Sequence, residues 1–147
     1  MASRVLGAYH PEINSNIKMF IEYIDDTPII KEYIQSIFVT YPNLKEEIDE
    51  VSASYGGLIL STGDTPEQEI NYVYQILKYI SENPSVQTYK LGWGYTSSKK
   101  YQDMVKEFGN RVVLPFVDGI NSYLSDIATD MGLSLIHISE PTRPEPI

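Results

Sequence analysis

From Thr96 to Met131 the chain reads TSSKKYQDMVKEFGNRVVLPFVDGINSYLSDIATDM, and its apolar positions recur at gaps of three and four. Tyr101, Met104, Val105, Phe108, Val112, Phe116, Ile120, Tyr123, Leu124, Ile127 and Met131 therefore fall on one stripe of an α-helix, whereas a strand would need gaps of two. Ser97 or Ser98 suits the N-cap, because a hydroxyl oxygen accepts from the free N–H groups of a first turn. Two residues interrupt the run. Gly109 costs about 1 kcal/mol relative to Ala in a helix interior, and Pro115 removes one backbone donor. The pattern predicts either one kinked helix or two helices meeting between Gly109 and Pro115. Val112, Val113 and Leu114 predict that this junction is buried.

Shorter helical stripes precede it. Ile13, Ile17, Phe20, Ile21 and Ile24 form one, opened by Pro11-Glu12 and closed by Asp25-Asp26. Thr27-Pro28 starts a second, with Pro at the first helical position, where its missing donor costs nothing. Its face is Ile29, Ile30, Tyr33, Ile34, Ile37, Phe38 and Tyr41. Asn43 can cap a third, with Leu44, Ile48, Val51 and Tyr55, before Gly56-Gly57 intervenes. Leu58 to Ser61 fits either a helical turn or a brief strand. Thr65-Pro66-Glu67-Gln68 is a capping box opening a fourth helix through Ile70, Val73, Tyr74, Leu77 and Ile80, with Tyr72 and Tyr79 on another face. Asn83-Pro84 stops it. Residues Met1 to His10 carry no clear period and are expected to be frayed or loosely packed. Ser85 to Thr96 reads as an irregular connection, of the length that often carries function.

The expected fold class is all-α: a compact bundle of about five helices around a long, kinked C-terminal helix. The chain has 147 residues, 42% of them hydrophobic, and the domain expected over 1–132 is long enough for a real core. After Gly132 the pattern changes. Leu133 to Arg143, LSLIHISEPTR, looks like the in-frame translation of the transposon-end adapter used in sequencing-library preparation. That resemblance implies that 133–147 is an artefactual, irregular tail, and that 1–132 is the N-terminal part of a longer native protein.

No apolar run approaches eighteen residues, no extended apolar segment opens the chain, and there are no cysteines. These features point away from a membrane span, a signal peptide, disulfides and thiol chemistry, and make the cytoplasm the expected location. The formal charge of −9 argues against direct nucleic-acid binding. Its distribution is uneven. Glu46, Glu47, Asp49, Glu50, Asp64, Glu67 and Glu69 crowd one stretch, while Lys78, Lys90, Lys99, Lys100, Lys106 and Arg111 dominate the next.

Chemistry is sparse. His10 and His137 are the histidines, which leaves no histidine-based metal site or catalytic arrangement; His10, beside Pro11, is expected at the surface. The carboxylate pairs Asp25/Asp26 and Asp126/Asp130 read as solvated helix-face charges. No catalytic residue, metal or cofactor is assigned. One candidate ligand site is Gly92 to Lys100, GWGYTSSKK, where Trp93, Tyr95, Ser97, Ser98, Lys99 and Lys100 combine aromatic, hydroxyl and ammonium groups before a helix N-terminus. It lacks the full phosphate-loop pattern. The competing reading is a capped helix after a loop that buries Trp93. Twelve tyrosines suit an interface, and Tyr72 and Tyr79, with the acids Glu46, Glu47, Asp49 and Glu50, are the candidate partner-binding residues.

The stretch SSKKYQDMVKEFGNRVVLPFVDGINSYLSDIATDMG, with EVSASYGG and INYVYQILKYISEN before it, resembles a helical domain found N-terminally in uncharacterised bacterial proteins, over about residues 13–132. The resemblance implies a bacterial origin and carries no activity. The expected function is a non-enzymatic protein-interaction or oligomerisation module, with a protein partner or self-association. The alternatives are a small acidic inhibitor that mimics nucleic acid toward a basic partner, of the anti-defence type, and a small-anion or nucleotide-binding domain.

Overall fold

The computed structural model describes residues 2–131; the adapter-like stretch 133–143 lies outside them. The fold is all-α, and no strand occurs among the described residues. In chain order the helices are α1 (Ala2–Leu6), α2 (Ile13–Asp25), α3 (Pro28–Ser36), α4 (Leu44–Ala53), α5 (Pro66–Glu82), α6 (Tyr89–Gly92), α7 (Tyr101–Phe108) and α8 (Leu114–Asp130). Short 3-10 turns cover His10–Glu12 and Trp93–Tyr95. No helix among the described residues is long and apolar enough to cross a membrane.

The C-terminal rod is continuous. Between α7 and α8 the chain makes a π-helical segment over Gly109–Val113, so the wide turn takes up the interruption that Gly109 and Pro115 announce. Pro115 follows directly on the wide turn, inside the continuous rod, so its missing N–H leaves one carbonyl of the preceding turn without its helical donor. Val112 and Val113 are fully buried as expected, but Leu114 is exposed, because it points away from the core-facing side of the rod. Phe108 and Phe116 are buried on either side of the wide turn.

Helix α5 shares the centre with this rod. It packs against α2, α4 and α8, and Ile70, Val73, Ile76, Leu77 and Ile80 are buried along it. Being covered on several sides, it also buries Tyr72, which the sequence pattern placed on an outer face. Buried Asn71 is satisfied: its Nδ2 donates to the Val39 carbonyl at 3.1 Å, and its Oδ1 accepts from Gln75 Nε2 at 3.0 Å. The start of α5 follows the sequence closely. Thr65 Oγ1 accepts the Gln68 N–H at 3.2 Å, while Gln68 Oε1 accepts from the Asp64 N–H at 2.9 Å, one residue earlier than the usual box. Where α2 meets the rod, the rings of Phe20 and Phe116 lie edge to face at 6.1 Å. Gly119 lets α8 close on Ile70; a β-carbon there would sit 2.7 Å from Ile70 Cδ1.

Three expectations change. Residues 2–8 are packed on the core: α1 buries Val5, and Ala8 is buried just after it. The connection from Ser85 to Thr96 is largely helical, because α6 docks against α7 through Gly92. Ser97 and Ser98 do not cap α7, which starts at Tyr101 after Lys100. Ser98 Oγ instead accepts from the Lys100 N–H at 3.1 Å and donates to Asp103 Oδ2 at 2.6 Å. The segment Leu58 to Ser61 is irregular, anchored by buried Leu60.

Candidate functional site

The least expected surface is built around Trp93. After α4, Tyr55 and Gly56 both take positive φ (50° and 90°) and reverse the chain. A left-handed conformation is routine for Gly and strained for Tyr, so packing must hold Tyr55 there. Gly56 gives the Trp93 ring its place: a β-carbon on Gly56 would lie 2.8 Å from Trp93 Cδ1. Gly94 receives the returning loop in the same way, with Ile59 Cγ2 at 2.6 Å and the Leu58 carbonyl at 2.7 Å from its absent β-carbon. The Tyr55 ring meets Trp93 edge on at 5.8 Å. Three glycine-tight contacts thus fix a loop whose side chains face outward: Tyr55 is 66% exposed, Leu58 49% and Ile59 51%.

Cations border this apolar loop. Lys90 Nζ stands 5.4 Å from the centre of the Tyr55 ring and Arg111 Cζ 5.8 Å from that of Tyr95, both within cation–π range. Burial pushes the Tyr95 phenol above its ordinary pKa, and Arg111 partly offsets that. Lys99 and Lys100 are exposed on the connection that follows.

The predicted ligand residues divide accordingly. Trp93 and Tyr95 are half-buried against the core, and Ser97 is exposed. Ser98 is spent on Lys100 and Asp103, and the Asp103 carboxylate stands in the first turn of α7. The free N–H groups of that turn therefore already face a negative charge, which weakens the case for an anion at this point.

The predicted partner residues also divide. Lys45 pairs with Asp49 at 2.8 Å, and its pKa is raised by that hydrogen bond. Glu47 is half-buried, and burial raises its carboxyl pKa, with the Ser61 N–H at 3.4 Å acting the other way. Glu46 and Glu50 are exposed. Tyr79 is half-buried, and Tyr72, at 4% exposure, cannot serve as a contact residue on the free surface. A quartet with two members engaged internally is a thin imitation of a phosphate backbone.

Asp25 is not the solvated charge that its sequence context suggests. It accepts from Lys78 at 2.6 Å and Tyr74 at 2.7 Å, and Lys31 lies 3.2 Å away. Burial alone would raise its pKa; the bonds from Lys78, Tyr74 and Lys31 outweigh burial and hold it below the usual value. This cluster ties α2, α3 and α5 together. Asp126 and Asp130 are exposed on α8. Among the described residues no group of three or more His, Cys, Asp and Glu side chains gathers as metal ligands would.

In the sequence Tyr55 falls in the α4 apolar stripe and Leu58 and Ile59 show no period, so none of the three reads as a surface. The available signal was Gly56-Gly57 beside a further glycine pair bracketing Trp93, which marks two backbones that approach closely. Comparison with known proteins finds no matching family model, no matching curated protein and no matching solved structure.

Proposed function

We propose that the chain is a non-enzymatic helical interaction module of a cytoplasmic bacterial protein, pairing with a second copy of itself through the Tyr55–Leu58–Ile59–Trp93 face. The observation that carries this reading is the outward display of Tyr55, Leu58 and Ile59 on a loop already locked by Gly56 and Gly94. A rigid loop loses little conformational entropy on docking, and Tyr, Trp and Arg are the side chains that most often dominate interfaces. The charges supply self-complementarity. The helix that delivers Tyr55 carries exposed Glu46 and Glu50, whereas Lys90, Lys99, Lys100 and Arg111 belong to the opposing elements. A two-fold arrangement lets the acids of one copy approach the cations of the other.

Light scattering across a concentration series tests this directly. The expected result is a monomer–dimer equilibrium with a dissociation constant of about 100 μM or tighter, weakened by added salt. The Leu58→Glu/Ile59→Glu variant is expected to remain monomeric with an unchanged helical circular-dichroism spectrum. A wild-type chain that stays monomeric at about 1 mM, or a double variant that associates equally well, overturns the reading.

A further inference from the structure

A groove of about 670 Å³ opens on different elements, between the first turns of α2, the end of α5 and the connection Pro84–Thr88. Its walls are set without a ligand. Asn14 Nδ2 donates to the carbonyls of Val86 at 2.7 Å and Pro84 at 3.2 Å, and Asn14 Oδ1 accepts from the buried Thr88 hydroxyl. At one end Tyr89 and Tyr101 stack at 4.0 Å, and Tyr101 remains 49% exposed. His10 stands edge on to both rings, at 5.1 and 5.2 Å. Its backbone N–H donates to Gln102 Oε1 at 2.7 Å, while its Nδ1 is shielded from solvent with no hydrogen-bond partner among the described residues. His10 is therefore a wall of this groove, not the isolated surface residue that its sequence context suggests.

The electrostatics are the informative part. The chain carries twenty acidic residues and a net charge of −9, yet among the described residues no carboxylate lines this groove. Its cationic lining residue is Lys18, joined by the hydroxyls of Ser15 and Ser85 and the amide of Gln87. Lys18 is exposed and forms no ion pair among the described residues. An aromatic stack and an ammonium without an ion-pair partner among the described residues, on the walls of one groove, match a ligand with two parts.

We infer that the groove binds a small molecule joining a planar ring to one anionic group, a phosphate or a carboxylate. The ring lies against the open side of Tyr101 and the anion is held by Lys18 with Ser15 and Ser85. This site is separate from the proposed self-association face, with which it shares α6 alone, and its test is independent of the oligomeric state.

An NMR titration of the full chain with adenosine monophosphate, adenosine, inorganic phosphate and benzoate reads it. Adenosine monophosphate is expected to give saturable shifts at Lys18, His10 and Tyr101 with a dissociation constant of about 1 mM or tighter. Adenosine and phosphate, each lacking one part, are expected to bind about tenfold more weakly or worse. Benzoate separates the carboxylate from the phosphate class: shifts at Lys18 and Tyr101 at least as strong as those from the nucleotide assign the site to carboxylates. Lys18→Glu, an exposed change that leaves the core intact, is expected to weaken binding of the ring-plus-anion probes at least about tenfold. Tyr101→Leu is expected to weaken the nucleotide while leaving inorganic phosphate unchanged. Absence of saturable shifts at these residues for both adenosine monophosphate and benzoate at about 10 mM, or undiminished binding by Lys18→Glu, overturns the inference.

Discussion

The half of the molecule made by α2, α5 and α8 and the half made by α4, α6 and α7 are held together by different means. In the first, branched and aromatic side chains interlock: Ile17, Ile21 and Phe20 meet Val73, Leu77 and Phe116, all buried. In the second, backbones nearly touch. Gly92 brings α6 so close to α7 that a β-carbon would sit 1.9 Å from the Met104 carbonyl oxygen, and Gly94 repeats the arrangement against the Leu58 carbonyl, while Gly56 leaves room for the Trp93 ring. Side-chain packing loses stability in proportion to the volume removed. Backbone packing is instead sensitive to addition, because a carbonyl cannot rotate aside as a side-chain tip can.

The largest effect is expected in the first half. Phe116→Ala removes a fully buried ring at the meeting point of α2, α5 and the rod and should cost about 4 kcal/mol, read from urea unfolding. Gly92→Ala adds a single methyl group and should nevertheless cost about 3 kcal/mol, with the near-ultraviolet signal of Trp93 lost first. A Gly92→Ala protein as stable as the wild type would erase the distinction between the halves. The smallest effect belongs to Asp25, whose side chain is 17% exposed. Asp25→Asn should cost about 1–2 kcal/mol. Because the folded-state pKa of Asp25 lies below its unfolded value of about 3.8, this contribution is fully present above that value. It is lost as pH falls through the lower folded-state value, so the variant and wild type should converge in strong acid.

The contrast also explains what could be read from the chain. Stripes of Ile and Phe at helical spacing announce α2, α3, α5 and the C-terminal rod, because one-sided burial imposes a period that survives in sequence. Thr65 and Pro28 mark helix starts for equally local reasons. Helices α1 and α6 are too short to show a period and exist because neighbours cover them. Gly92 and Gly94 look like the hinges of a loop until their partners, Met104 and Leu58, are known. Tyr72 reads as outward-facing in the sequence because a stripe reveals one buried side, and α5 has more than one. The aromatic face and the His10 groove join residues distant in sequence, such as Tyr55 with Trp93 and His10 with Tyr89 and Tyr101. No local pattern encodes those meetings.

The wide turn at Gly109–Val113 has a geometric consequence for the rod. Met104, Phe108, Val112, Phe116, Ile120, Leu124 and Ala128 recur every fourth residue, a cadence that winds about 40° per step around an ideal α-helix of 3.6 residues per turn. The π segment slackens that winding midway. One uninterrupted helix can then present its first length to α6 and its second to α5, so the two dissimilar halves are phased against each other by a local change of pitch.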